Sequence, residues 1–255
     1  MDIKIYNLIL EVTRRCNMNC AHCMRGDAQD MDADPAILPQ IFNGIGEIET
    51  ITFTGGEPAL NTQYIKTVVD YIIEHHIPVH GCFIATNAKV YSQELVDCVW
   101  RLYDAYCGDG DVLTTPSDWL FVHDDEERQD FSIAISGDQY HEDVPSENIQ
   151  RYYRCGFFSK CKLQVGSGIL ARGRGASIPG SFVQPVYKLN AEVLQDENQI
   201  AVDQLYVSCN GSVVADCDLS FDDIDAADAN QFGYLGTIGK ERSLHSILTE
   251  KLGPT

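Results

Sequence analysis

Three cysteines, Cys16, Cys20 and Cys23, lie four and then three positions apart in the stretch Cys16-Asn17-Met18-Asn19-Cys20-Ala21-His22-Cys23. Thiolates delivered by one loop at this spacing can converge on one face of an iron-sulfur cluster, for which soft sulfur ligands are suited. Three ligands for four irons leave one iron open, and an open iron can bind and reduce a small molecule. Two other readings stand beside this one: a zinc knuckle, or a chance grouping among the ten cysteines of the chain. Zinc asks for a fourth ligand, and His22 lies between two of the cysteines, where the usual paired spacing does not place it.

The loop follows the apolar, branched run at residues 3–12, which predicts a strand delivering Thr13, Arg14 and Arg15 at its carboxyl end. In parallel α/β architectures that end carries the chemistry. A helix is predicted over residues 35–45, capped by Asp32 or Asp34. A second strand, residues 49–54, runs straight into Gly55-Gly56-Glu57-Pro58. Two glycines at a strand end let backbone approach a ligand closely, and Glu57 offers an acceptor to an ammonium group; a plain turn has the same composition.

The alternation continues with a helix at 65–73, a strand at 78–85 ending in Thr86-Asn87, and a helix at 93–106. A fourth strand at 131–135 ends in Ser136-Gly137-Asp138-Gln139-Tyr140-His141, followed by a helix at 148–153 and a fifth strand at 161–165. Asn87 suits an ordinary strand-end turn, and His141 reads either as an acid or base of a site or as an exposed histidine at a helix entrance. Residues 108–130 break the rhythm with Gly-Asp-Gly-Asp and an acidic run, and read as an insertion that is either a lid or surface decoration. Glycines gather again at 166–175 with Arg172 and Arg174, side chains that pair well with a carboxylate.

From Ser181 the pattern changes. Asn210-Gly211 between residues 204–208 and 212–215 predicts a hairpin closing on Asp216-Cys217-Asp218, followed by a turn at 235–238 and a short helix at 243–248. No Lys or Arg occurs between Lys188 and Lys240, while Glu192, Asp203, Asp222, Asp223, Asp225 and other acids crowd the segment. That segment reads as a solvated face or as a docking surface for a basic peptide or protein. Over the whole chain 18 basic against 38 acidic side chains give a net charge of -20, which argues against nucleic acid as a partner. No run of about 18 apolar residues and no signal-peptide pattern occurs, so the expectation is a cytoplasmic protein without a membrane span. Cysteines in that reducing setting read as thiols or metal ligands before disulfides.

The cysteine loop and, some thirty residues later, Gly55-Gly56-Glu57 together resemble the ordered motifs of the radical S-adenosylmethionine (SAM) enzymes. The resemblance covers residues 3–175 in ordered motifs and the tail more loosely. It implies an α/β fold: a partial (β/α)6 barrel over residues 1–180 with a small C-terminal α+β extension over 181–255. It also implies a 4Fe-4S cluster held by Cys16, Cys20 and Cys23, with SAM on the open iron. One electron would cleave SAM to methionine and a 5'-deoxyadenosyl radical that takes hydrogen from a substrate.

Residue by residue, His22 stands where the family usually carries an aromatic side chain. Gly55, Gly56 and Glu57 match the motif whose backbone and carboxylate bind the methionyl amino group. Thr86-Asn87 is similar to a Thr-Asn-Gly that lines the SAM pocket, with Ala88 replacing the glycine. Ser136 and Asp138 are similar to a Ser-x-Asp reaching SAM or substrate, and Arg172 or Arg174 would hold the SAM carboxylate or an acidic substrate group.

Cys209, Gly211 and Cys217 with Leu235-Gly236-Thr237-Ile238 resemble the twitch extension, the shorter relative of SPASM, which can hold an auxiliary cluster. No cysteine follows Cys217, so the set is incomplete unless Cys155, Cys161 or other groups contribute, and an extension without metal is the favoured reading. A peptide is the expected substrate, a nucleotide or sugar the second reading, and a non-catalytic iron-sulfur or zinc protein the rival of another class. Flavodoxin or ferredoxin would be the external one-electron donor. With Met1 opening directly onto the barrel, a peptide would be met directly or through a separate recognition protein.

Overall fold

The computed structural model describes residues 1–106, 130–160, 168–194, 198–228 and 233–252. The insertion at 108–130, apart from Asp130, and the fifth strand predicted at 161–165 lie outside them. Strand β1 (Asp2–Thr13) sits inside a nine-stranded sheet. Its Ile3, Ile5, Leu8, Leu10 and Val12 enter the main core, while Ile9 joins a second cluster with Tyr206, Val214, Leu219 and Ile224. A strand covered on both faces needs a near-continuous apolar run, and this is the run the sequence supplies.

Strands β2 (Ile45–Gly55), β3 (Val79–Thr86), β4 (Phe131–Ile135) and β5 (Phe158–Lys160) follow on one side of β1, each parallel to its neighbour. Helices α1 (Leu38–Phe42), α2 (Thr62–Glu74), α3 (Gln93–Tyr106) and α4 (Ser146–Tyr153) alternate with them. Helix α2 buries Tyr64, Ile65, Val68, Val69 and Ile72, and α3 buries Leu95, Val96, Val99 and Leu102, both at helical spacing. All five carboxyl ends therefore open on one edge of the sheet.

Two predicted boundaries shift. The helix expected over 35–45 is a 3-10 turn, Pro35–Ile37, capped by the Asp34 side chain, and then the short α1. Asn43 adopts an extended conformation and stops it, so Ile45 opens β2 opposite Ile3 instead of closing a helix. Asp32 is not a cap: it accepts from the Thr13 hydroxyl at 2.6 Å and pairs with Arg15 at 2.8 Å.

The tail does more than add a hairpin. It contributes β6 (Ala191–Leu194), β7 (Gln199–Val207), β8 (Ser212–Val214), α5 (Phe221–Asp225), β9 (Tyr234–Thr237) and α6 (Leu244–Leu252). Strand β7 runs parallel along the other edge of β1, from Asp2 opposite Gln199 to Leu10 opposite Val207. Among the described residues six parallel strands result, in the order β5-β4-β3-β2-β1-β7, with β8 and β9 continuing antiparallel and β6 pairing β7. The Asn210-Gly211 turn forms as read from the sequence, but the turn expected at 235–238 is mostly strand β9, held by β8.

A buried ionic network fastens this tail to the strand that carries the cysteine loop. Glu11 and Arg14 are 1% and 0% exposed, with Arg14 Nε 2.7 Å from Glu11 Oε1. Arg14 also donates to Gln29, to Asp225 at 2.8 Å and to Ser208 at 2.9 Å, and its guanidinium lies over the Phe221 ring. Glu11 accepts from the Tyr206 hydroxyl, the Ser208 hydroxyl and the Cys209 N–H. Removing one partner of a buried, hydrogen-bonded pair strands the other charge, at a cost of about 3–5 kcal/mol. Arg14→Met should therefore lower stability by that amount in urea denaturation, and a loss near that of an ordinary exposed pair would show that the network does not hold the tail.

Candidate active site

A cavity of about 740 Å³ lies at the carboxyl ends of the parallel strands, within the usual range of roughly 300–1,000 Å³ for small-molecule sites. Its lining comes from four of those ends, the cysteine loop after β1, Thr54 to Pro58 after β2, Ala85 and Asn87 at β3, and Ser136 to His141 after β4, together with Gly168 to Leu170. The three motif cysteines are free thiols, partly buried, and all three line it. Burial pushes the thiols of Cys16 and Cys20 up, so ionised sulfur there calls for a positive partner such as a metal.

The geometry separates the two metal readings. Sulfurs around one tetrahedral zinc at 2.3 Å stand about 3.8 Å apart. The sulfurs of Cys16, Cys20 and Cys23 do not form a group within 4.8 Å of one another. His22 is also directed elsewhere, its Nε2 3.3 Å from Asp138 and its ring 5.3 Å and 4.8 Å from Tyr140 and His141. The three thiols thus share one cavity without the close grouping that a zinc knuckle asks for.

Backbone packing explains the two glycines. Gly56 N donates to Thr13 O and Glu57 N to Arg15 O, both at 2.8 Å, which pins the end of β2 against the start of the cysteine loop. A Cβ on Gly55 would stand 2.0 Å from Thr13 O, and one on Gly56 would stand 2.2 Å from Arg15 O. Neither position admits a side chain without moving backbone.

Glu57 lines the cavity and is 1% exposed. One of its oxygens accepts from the Thr86 hydroxyl at 2.7 Å and from Ala59 N at 3.0 Å, the other from Asn87 N at 2.8 Å. Burial pushes its carboxyl above the usual range, against the pull of those three donors. Thr86 is thus occupied with Glu57 and is absent from the cavity lining, whereas Asn87 lines it and donates to Asn17 at 2.9 Å. Ala88, where the resemblance calls for glycine, holds φ at 55°, a left-handed conformation that costs an alanine strain.

Ser136 and Asp138 lie in the lining, with Asp138 between His22 and His141, 2.8 Å from the latter. Asp138 is held below the ordinary carboxylate range: burial raises it, but the Tyr140 N–H and the two histidines outweigh that. His22 is shifted downward by burial.

Arg172 and Arg174, by contrast, are not part of the lining. Arg172 pairs with Asp223 at 3.1 Å, and Arg174 pairs with Asp27 at 2.9 Å. Arg174 also donates its Nε to Cys20 O and its backbone N–H to Cys23 O, both at 2.9 Å. Gly173 packs beside it, where a Cβ would come within 2.5 Å of Met24 O. The glycine-arginine stretch is a backing for the cysteine loop.

Arg25, which the sequence reading passed over, does line the cavity. Its signal was position alone, two residues past Cys23 in a loop already marked for chemistry. In the tail, the Cys209 thiol donates to Glu11 O at 3.2 Å inside the buried network, and Cys217 sits beside Asp218. Among the described residues no group of three close ligand atoms contains Cys209.

Residues 10–102 match the family model described as the Radical SAM superfamily. An uncharacterized protein of Methanocaldococcus jannaschii is 33% identical over 101 residues, 38% of this chain and 35% of that protein. A GTP 3',8-cyclase of Lactiplantibacillus plantarum is 30% identical over 101 residues, 34% of this chain and 30% of the cyclase. The matched parts thus span about a third of these curated relatives. Two solved structures of anSMEcpe, one of the histidine-tagged protein with bound AdoMet (SAM) and one native with bound AdoMet and Cp18Cys peptide, share the fold. Their TM-scores are 0.53 and 0.51 at 10% and 11% identity, covering 96% of this chain and 80% of each. The sheet described above is accordingly the partial barrel of these proteins, and the stretch carrying Cys16, Cys20, Cys23 and Gly55-Gly56-Glu57 is the one that matches the Radical SAM superfamily.

Proposed function

We propose that this chain is a radical SAM enzyme in which Cys16, Cys20 and Cys23 hold a 4Fe-4S cluster. The observation that carries the reading is the placement of three free thiols and Gly55-Gly56-Glu57 on one cavity at the carboxyl ends of the strands. When bound, the cluster and SAM would supply a carbon radical able to take a hydrogen atom from an unactivated position. The protein's own residues bind, orient and shield. Glu57, its carboxylate already fixed by three donors, would meet the methionyl ammonium; Asn87, Ser136, Asp138 and His22 would line the remainder. Arg172 and Arg174 act in this proposal through the loop and the tail, not on SAM.

We assign residues 1–180 to the barrel, completed by the parallel strand β7 from the tail, and the rest of 181–255 to an extension without a cluster. The Cys209 thiol is held to the Glu11 carbonyl inside the buried network, which supports that assignment. A peptide is the first reading for the substrate, supported by the peptide bound to anSMEcpe; the cyclase relative supports a small molecule as the second. The acidic tail lends the peptide less support than its composition suggested, because Asp225 pairs with Arg14, and Asp223 pairs with Arg172 and caps α5. An external one-electron donor and a reducing, cytoplasmic setting complete the proposal; among the described residues no helix is long and apolar enough to cross a membrane.

Anaerobic reconstitution should give about four irons in the barrel site, lost when Cys16, Cys20 and Cys23 are all changed to alanine. A triple variant that keeps a SAM-responsive cluster signal would refute the ligand assignment. Glu57→Gln preserves shape but turns an amide towards the Asn87 N–H and removes the charge that faces the ammonium. A charge-assisted hydrogen bond is worth roughly 1.5–3 kcal/mol, so the Kd for SAM should rise at least about tenfold. Unchanged SAM affinity in that variant would remove Glu57 from the site.

A further inference from the structure

Among the described residues two arginines are deeply buried, Arg14 and Arg25, and they are treated differently. Arg14 has Glu11 and Asp225 as ionic partners. Arg25, 7% exposed, donates Nη1 to the Leu219 carbonyl at 2.6 Å and stacks its guanidinium 4.8 Å from the centre of the Tyr206 ring. Glu11 and Asp218 favour its charge from beyond ion-pair distance, and among the described residues only one of its five N–H donors has a hydrogen-bond partner. A guanidinium on a cavity wall with most of its donors left without partners is accounted for when a bound molecule accepts from them.

Its location says which molecule. Leu219 and Tyr206 belong to the tail, on the β7 side of β1. Glu57, Asn87 and Ser136 end strands β2, β3 and β4, on the opposite side. Those are the residues assigned to SAM above, so the acceptor at Arg25 comes from the other occupant of the cavity.

We propose that Arg25 receives a carboxylate of the substrate, held by the paired N–H donors of the guanidinium. The proposal rests on the radical SAM reading and narrows its substrate to one that carries an acid group, whether a peptide side chain or terminus or a small organic acid. With a net charge of -20 the protein as a whole does not attract acids, and attraction between separated charges is screened over about 8 Å. Recognition of the acid is therefore local and directional.

The test compares the full-length wild type, Arg25→Gln and Arg25→Lys, each reconstituted and saturated with SAM. Thermal unfolding is followed with sodium acetate as the probe, against acetamide and sodium chloride at matched ionic strength. Acetate alone should raise the wild-type Tm, since a ligand that binds only the folded state stabilises it. The shift should vanish in Arg25→Gln and survive in part in Arg25→Lys, with the SAM Kd equal in all three. An equal acetate shift in wild type and Arg25→Gln overturns the anion site.

A Kd for SAM raised roughly tenfold in Arg25→Gln, with affinity for decarboxylated SAM unchanged, would assign the guanidinium to SAM itself and overturn the substrate assignment. Failure of the wild type to bind SAM would sink the underlying function, and is seen before acetate is added. If Arg25→Gln does not fold, phenylglyoxal labelling of the wild type decides: acetate, not acetamide, should protect Arg25, and equal labelling with either overturns the proposal.

Discussion

The backbone of β2's end lies directly on the backbone at the end of β1, and the candidate site depends on that contact. Two N–H groups, of Gly56 and Glu57, bond the carbonyls of Thr13 and Arg15 just where the chain leaves the strand for the cysteine loop. The approach leaves no space for a Cβ at Gly55 or Gly56. The same bonds place Glu57 where it can be fixed by Thr86, Asn87 and Ala59, so the geometry of the loop and that of the carboxylate are one problem with one solution. The loop requires these glycines whether or not a ligand approaches them.

The rest of the chain holds this arrangement from the outside. Arg174 bonds two carbonyls of the loop, Glu142 accepts from Asn19 N, and Asn87 reaches Asn17. From the tail, Glu11 and Arg14 draw β7 and α5 against β1, directly before the loop. Part of the tail's acidity is thereby explained: Asp223 and Asp225 are counter-ions to arginines of the barrel.

Elements with strong periodicity were readable. Strand β1, helices α2 and α3 and the strand ends that carry Gly55-Gly56-Glu57, Asn87 and Ser136 to His141 fall within a few residues of where pattern and propensity put them, because each buries a regular apolar face. What escaped were facts of pairing across long sequence separation. Residues 199–207 look like one arm of a hairpin; that the strand also runs parallel along β1, some 200 residues earlier, has no local signature. Ile45 fits a helical period and a strand equally well, and the strand won through Ile3. For the same reason Arg172 and Arg174 invited a ligand reading that their partners Asp223 and Asp27 do not favour, while Arg25, lacking any motif, was passed over.

Iron content of Gly56→Ala, measured beside Glu57→Gln after identical anaerobic reconstitution, tests most directly whether the strand-end contact builds the loop. Gly56 has no left-handed backbone to relieve, so the variant adds only a methyl group aimed at Arg15 O. The account predicts that Gly56→Ala falls well short of about four irons while Glu57→Gln retains them, since the first moves the thiols and the second leaves them in place. Full iron in Gly56→Ala, with a defect confined to SAM affinity, would contradict it and return the glycines to the simpler role of lining a ligand.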